Sequence, residues 1–213
     1  MANSNSSDIS RRKQQLEKRL EELGAKSESP KIRRLSTNRS SVAYAYLLID
    51  CSGSMSGSKL SQAKTGSLGF AEDAFLKGYS IGVISFSSQA SLVTEPLTDI
   101  FKLKERISGI EVEGLTNMTA ALYLAKEKFP SPSCDGAVVV VTDGMPNNVD
   151  SALAAAQKIK SLGIDIIAIG TDDADQRFLE QIASRKDLAV PVSQKQLATG
   201  ITTAAKLLPG KGK

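Results

Sequence analysis

The stretch YAYLLIDCSGSMS at residues 44–56 constrains this chain more than any other. An apolar run from Tyr44 to Ile49 stops at Asp50, and Ser52, Ser54 and Ser56 follow at alternate positions. A run rich in aromatic and aliphatic residues reads as a strand buried on both faces. Gly53 and Gly57 break it into a loop, and a helical period begins near Lys59. One carboxylate and two or three hydroxyls therefore stand at the carboxyl end of a central strand, where open α/β sheets place their ligands. Donors made only of oxygen suit a hard divalent cation, Mg²⁺ ahead of a soft transition metal.

The remainder of the chain alternates in the same manner. Leu60–Phe75 has the period of an amphipathic helix, and Tyr79–Phe86 reads as a second buried strand. Ser91–Val93 is expected to be a short edge strand, and Phe101, Leu103 and Ile107 mark a short helix. After the hydroxyl-bearing turn EVEGLTNMT come a helix over Thr119–Phe129 and a pure β run, Ala137–Val141, which ends in Thr142-Asp143-Gly144. A helix over Val149–Leu162, a strand over Ile164–Ile169, a helix over Asp175–Ala183, a short strand over Leu188–Val192 and a closing helix over Gln194–Leu208 complete the order. Strands alternating with helices of this length predict an α/β fold, a doubly wound and mostly parallel sheet with helices on both faces.

Charge separates the N-terminal segment from this domain. The net charge is +4, but residues 1–40 carry +5 and residues 41–213 carry −1, so the globular part gives no electrostatic reason to expect nucleic acid. Residues 1–41 read as a basic helix, with Ile9, Leu16, Leu20 and Leu23 on one stripe, followed by a flexible linker containing Pro30. The domain is expected over 42–210, with 211–213 as a disordered tail. No run approaches the roughly 20 apolar residues that cross a bilayer, so no membrane association is expected. The start, MANSNSSDISRRKQQ, has no apolar core behind its charges, which makes a cytoplasmic location the expectation.

The chain has no histidine and two cysteines, Cys51 and Cys134. That composition removes Ser-His-Asp and Cys-His catalysis and every His-containing metal site, and two cysteines alone make a poor zinc site. Ser61-Gln62-Ala63-Lys64 and Lys64-Thr65-Gly66 match penicillin-recognising signatures, but they overlap on one predicted helix, whereas that chemistry needs separate converging elements. Ser56 and Ser58 read as helix-cap and surface residues, and Asp172, Asp173 and Asp175 as a capped helix start.

Three loops carry oxygen donors: Asp50-x-Ser52-x-Ser54, Gly114-Leu115-Thr116-Asn117, and Thr142-Asp143-Gly144-x-Pro146. In this order and on these elements, over about residues 42–208, they resemble the metal-ion-dependent adhesion site of a von Willebrand factor type A (vWA) domain. The match is to the stand-alone microbial intracellular type. The resemblance implies a Rossmann-like vWA fold, with Ser52, Ser54 and Thr116 as hydroxyl ligands and Asp50 and Asp143 as carboxylates acting partly through water. Mg²⁺ is the implied ion, with Mn²⁺ or Ca²⁺ as alternatives. Neutral hydroxyls leave the ion electrophilic, so a partner's Asp or Glu can take its open position. The family turn usually reads Gly-Gly-Thr; here Leu115 precedes Thr116, and Thr119 is a second hydroxyl three residues on. Cys51 is expected to point away from the metal.

The reading is thus a non-enzymatic, Mg²⁺-dependent protein-interaction module. Resemblance further implies an accessory subunit of an AAA+ ATPase of the MoxR or chelatase type, or of a stress or defence complex. One alternative is a structural protein that self-assembles through its N-terminal helix. Another is a Mg²⁺-dependent phosphohydrolase of the haloacid dehalogenase type, whose chemistry needs a second Asp where this chain has Ser52.

Overall fold

The structure is a computed structural model that describes residues 43–130 and 135–210. The expectations for residues 1–41, for the tail and for Cys134 lie outside the described residues. Six strands form one sheet: β1 (Ala43–Asp50), β2 (Tyr79–Phe86), β3 (Ala90–Leu97), β4 (Gly136–Thr142), β5 (Asp165–Gly170) and β6 (Ala189–Pro191). Their order is β3-β2-β1-β4-β5-β6, and every pairing is parallel except β2 with β3. The fold class is the mostly parallel, doubly wound α/β sheet that the alternation predicts.

Burial on both faces explains the unbroken apolar runs. All seven residues of β4 are buried, as are seven of the eight in β1. Helices cover both faces of these central strands, so neither needs an alternating polar face. The helices are α1 (Ser58–Leu76), α2 (Ile100–Ser108), α3 (Met118–Lys128), α4 (Val149–Lys160), α5 (Gln176–Ile182) and α6 (Leu197–Ala204). Four of them begin on a side-chain cap: Asp99, Asn117, Asn148 and Asp175 each accept a hydrogen bond from a first-turn amide. In α1, Gly66 lets α6 approach closely, since a Cβ there would stand 2.7 Å from the Ala198 carbonyl oxygen.

Three expectations need correction. The edge strand runs for eight residues, Ala90–Leu97, not three, and it includes Pro96. Pairing to one side only, with register shifts between Ile81 and Ile84 on β2, lets an edge strand take a proline. The closing helix is not continuous. A 3₁₀ turn (Gln194–Gln196) leads into α6, and another (Ala205–Leu207) follows it. Ser56 does not cap α1; Gly57 holds that position at φ 72° with no side-chain cap bond.

The topology fixes where a ligand belongs. From β1 the chain winds outward through β2 to β3, then returns to lay β4 on the other side of β1. The crevice between the carboxyl ends of β1 and β4 is therefore a topological switch point. Asp50 is the last residue of β1 and Thr142 the last of β4.

Candidate metal centre

Three loops meet at this crevice and are bonded to one another. The first, after β1, donates from Gly53 N to Gly114 O at 3.1 Å and accepts at Cys51 O from Glu113 N at 2.7 Å. The second carries Thr116, whose amide donates to Asn147 Oδ1 at 3.2 Å and whose carbonyl accepts from Asn147 N at 3.0 Å. Thus the second loop is held by the third. The third closes on the first through side chains: Thr142 Oγ1 donates to Asp50 Oδ2 at 2.6 Å, and Ser54 Oγ donates to Asp143 Oδ1 at 2.7 Å. Gly114 sits at φ 35°, and a Cβ there would collide with Ser88 Oγ, so only glycine fits this crossing.

Asp50 is fully buried. Its two oxygens are both engaged, Oδ1 by the Ser52 amide at 2.8 Å and Oδ2 by Thr142. Burial pushes its carboxyl above the ordinary range; the bonds from Ser52 and Thr142 oppose that shift, and the Asp143 charge adds to it. A buried carboxylate raised in this way gains from a cation beside it.

The serine hydroxyls keep acceptor capacity for such an ion. Ser52 Oγ and Ser54 Oγ lie 3.2 Å apart, and Ser52, at the start of a 3₁₀ turn over Gly53–Met55, makes no side-chain cap bond. Ser54 gives its proton to Asp143, so in its contact with Ser52 it accepts, which leaves one Ser54 lone pair and both of Ser52 unengaged. Two adjacent ligands of an octahedral ion bound at about 2.0–2.1 Å stand about 3 Å apart, close to the Ser52–Ser54 spacing. No group of three or more His, Cys, Asp or Glu among the described residues forms a metal cluster. A cation here depends on hydroxyls.

The structure brings Asp50, Ser52, Ser54 and Asp143 into one hydrogen-bonded group. Thr116 is tied by its backbone to Asn147 of the third loop, and among the described residues no hydrogen bond links it to the other four. Thr119 lies in the first turn of α3. Cys51 turns to β2, its thiol donating to Phe86 O at 3.2 Å, and lines a cleft with Ser87, Arg106 and Glu113.

Sequence reasoning missed Lys59. Its ammonium reaches Asp143 Oδ2 at 2.7 Å and Asp173 Oδ2 at 2.7 Å. Burial works to lower its pKa, but the bonds and charges of Asp143 and Asp173 outweigh that and raise it. A signal existed: a lysine in the first turn of a helix sits where the dipole disfavours it, and so calls for a nearby anion. Asp173, expected with Asp172 and Asp175 at a capped helix start, pairs with Lys59 instead. Asp175 alone caps α5.

The family model for the von Willebrand factor type A domain matches residues 46–204. The chain belongs to the vWA family. It is 27% identical over 161 residues to human inter-alpha-trypsin inhibitor heavy chain H4, a match covering 64% of this chain and 16% of that protein. In fold it is similar to the vWF domain of the type V pili tip protein Mfa5 from Porphyromonas gingivalis. That match has a TM-score of 0.71 at 13% identity and covers 80% of this chain and 96% of Mfa5's domain. It is also similar to proximal thread matrix protein 1 of the mussel byssus, with a TM-score of 0.65 at 20% identity over 76% of this chain and 46% of that one. That mussel structure has zinc in its metal-ion-dependent adhesion site. vWA domains are typically protein-interaction modules. No helix among the described residues of this member is long and apolar enough to cross a membrane.

Proposed function

We propose that this vWA domain binds one divalent cation through the hydroxyls of Ser52, Ser54 and Thr116. Asp50 and Asp143 balance its charge, partly through water, and the open coordination position captures a carboxylate of a protein partner. The observation that carries this reading is Ser54, whose hydroxyl gives its proton to Asp143 and stands 3.2 Å from Ser52 Oγ. Each hydroxyl thus keeps at least one lone pair for an ion bound beside the two carboxylates. Donors of oxygen alone favour Mg²⁺, with Mn²⁺ next, over the zinc carried by the mussel relative.

The surface beside the site supports a protein partner. Leu115 is 64% exposed and Met145 41% exposed, and they lie on the second and third loops next to Thr116 and Asp143. An acidic side chain flanked by an apolar one matches that surface. The reading is of binding, since the donor hydroxyls have no histidine to activate them and the two carboxylates serve the ion. An AAA+ ATPase is the partner class that the family resemblance supports.

The test is capture of binding proteins on immobilised domain in Mg²⁺, with identification of what is retained. A partner that is released by EDTA and is not retained by Ser54→Ala supports the reading. Retention unchanged by EDTA would contradict it.

A further inference from the structure

Lys59 and Asp173 lie outside the metal donor set, yet they form an ion pair with it. The Asp143 carboxylate is shared, Oδ1 taken by Ser54 and Oδ2 by the Lys59 ammonium, and its side chain is 0% exposed. The Lys59 side chain is 13% exposed, and its ammonium reaches out to Asp173, which is 62% exposed on the loop after β5. Formally, Asp50, Asp143 and Asp173 against one ammonium leave this connected group two charges negative. A divalent ion would neutralise it.

We propose that Lys59 is a resident counter-ion that sets the cation affinity of this site, and that Asp173 governs how strongly Lys59 claims Asp143. The inference rests on the metal reading given above. The physical reason is competition for one carboxylate oxygen. An arriving dication and the ammonium repel each other and both draw on the Asp143 charge. Asp173 lowers that conflict by offering the ammonium a second anion at equal distance. Without Asp173, the lysine depends on Asp143 alone and the group loses one negative charge. Without the lysine, the group gains one. Because Asp173 is well exposed, a partner or a neighbouring cation that occupies it would loosen the metal from outside the site.

Lys59 and Asp173 are positioning residues in this scheme, and their removal has opposite effects. The test is isothermal titration with Mn²⁺ alone, on the full chain and on Lys59→Met, Lys59→Arg and Asp173→Asn. Lys59→Met is expected to bind about tenfold more tightly, Asp173→Asn about tenfold more weakly, and Lys59→Arg within about twofold of the parent. A merely structural pair would move both affinities the same way or leave them unchanged, and either result overturns the proposal. Asp173→Asn alters an exposed residue and keeps the question answerable if Lys59→Met does not fold; an unweakened affinity in that variant is then decisive against the proposal. Absence of Mn²⁺ binding by the parent chain would instead overturn the metal reading itself, and the counter-ion proposal with it.

Discussion

The Thr142 hydroxyl donates to Asp50 Oδ2 at 2.6 Å, joining the last residues of two adjacent parallel strands across the switch point of the sheet. The bond orients a carboxylate that burial disfavours. It also ties the position of the first loop to that of the third. Thr142→Val keeps the shape and removes the donor, leaving one oxygen of a buried carboxylate unsatisfied. We expect a loss of about 1–3 kcal/mol in urea unfolding without metal. An unchanged midpoint would show that the bond contributes nothing.

Asp50→Asn should act in two directions. The carboxyl pKa in the fold lies above its ordinary value of 3.8. Folding therefore favours the protonated form: the group's penalty is absent below the unfolded pKa, grows as pH rises above it, and is complete once pH passes the folded pKa. Neutralising the group is expected to raise the melting temperature of the metal-free protein at pH 7, and to abolish any rise on adding Mg²⁺. A lower melting temperature without metal would mean that the ionised carboxylate stabilises the fold.

The two candidate threonines separate cleanly. The structural contacts of Thr116 to Asn147 are made by its backbone, which alanine keeps. Thr116→Ala should leave unfolding within about 0.5 kcal/mol of the parent while weakening Mn²⁺ binding several-fold. Thr119→Ala should leave Mn²⁺ binding unchanged. Titration calorimetry of the two variants checks this, and weakening only in Thr119→Ala would reassign the ligand.

Much of this was legible in the sequence, because two physical signals were strong. Doubly buried strands leave unbroken apolar runs, so Tyr79–Phe86 is the strand predicted and β1 and β4 differ from expectation by a residue at each end. Oxygen donors after such strands marked the crevice, and Asp50, Ser52, Ser54 and Asp143 meet there. The illegible parts depend on tertiary pairing. β3 is half exposed and its proline argued against a long strand, while its partner β2 supplies the register. Lys59 and Asp173 are 114 positions apart, and only the fold brings them together beside Asp143.

Gly114→Ala tests how tightly the loops are packed. With a positive φ and a Cβ colliding with Ser88 Oγ, it should cost about 1–3 kcal/mol and shift the Thr116 loop. Urea unfolding reports the first effect and reduced Mn²⁺ affinity the second. A neutral substitution would mean that the loop adjusts without strain.

Cys51 offers a pH readout. Burial, followed by the charges of Asp50 and Glu113, pushes its thiol up to about 11. In a Cys134→Ser background, alkylation by iodoacetamide at pH 8 should be about a hundredfold slower than in the urea-unfolded chain. Because the folded value exceeds the unfolded one of 9.0, the thiol leaves stability unaffected below about pH 9 and costs stability as pH rises from there toward 11. Equal alkylation rates in the folded and unfolded chains would show an accessible thiolate.

The central claim is that Ser52 and Ser54 offer their lone pairs to one divalent ion. Scanning calorimetry with Mg²⁺ at a hundredfold excess over Kd tests it most directly. Binding to the native state alone contributes about 2.7 kcal/mol, a rise of about 5–10 °C for a domain of this size. The account predicts that rise in the parent chain and none in the Ser52→Ala/Ser54→Ala double variant. An identical melting temperature with Mg²⁺ and with EDTA in the parent, or an undiminished rise in the double variant, would contradict it.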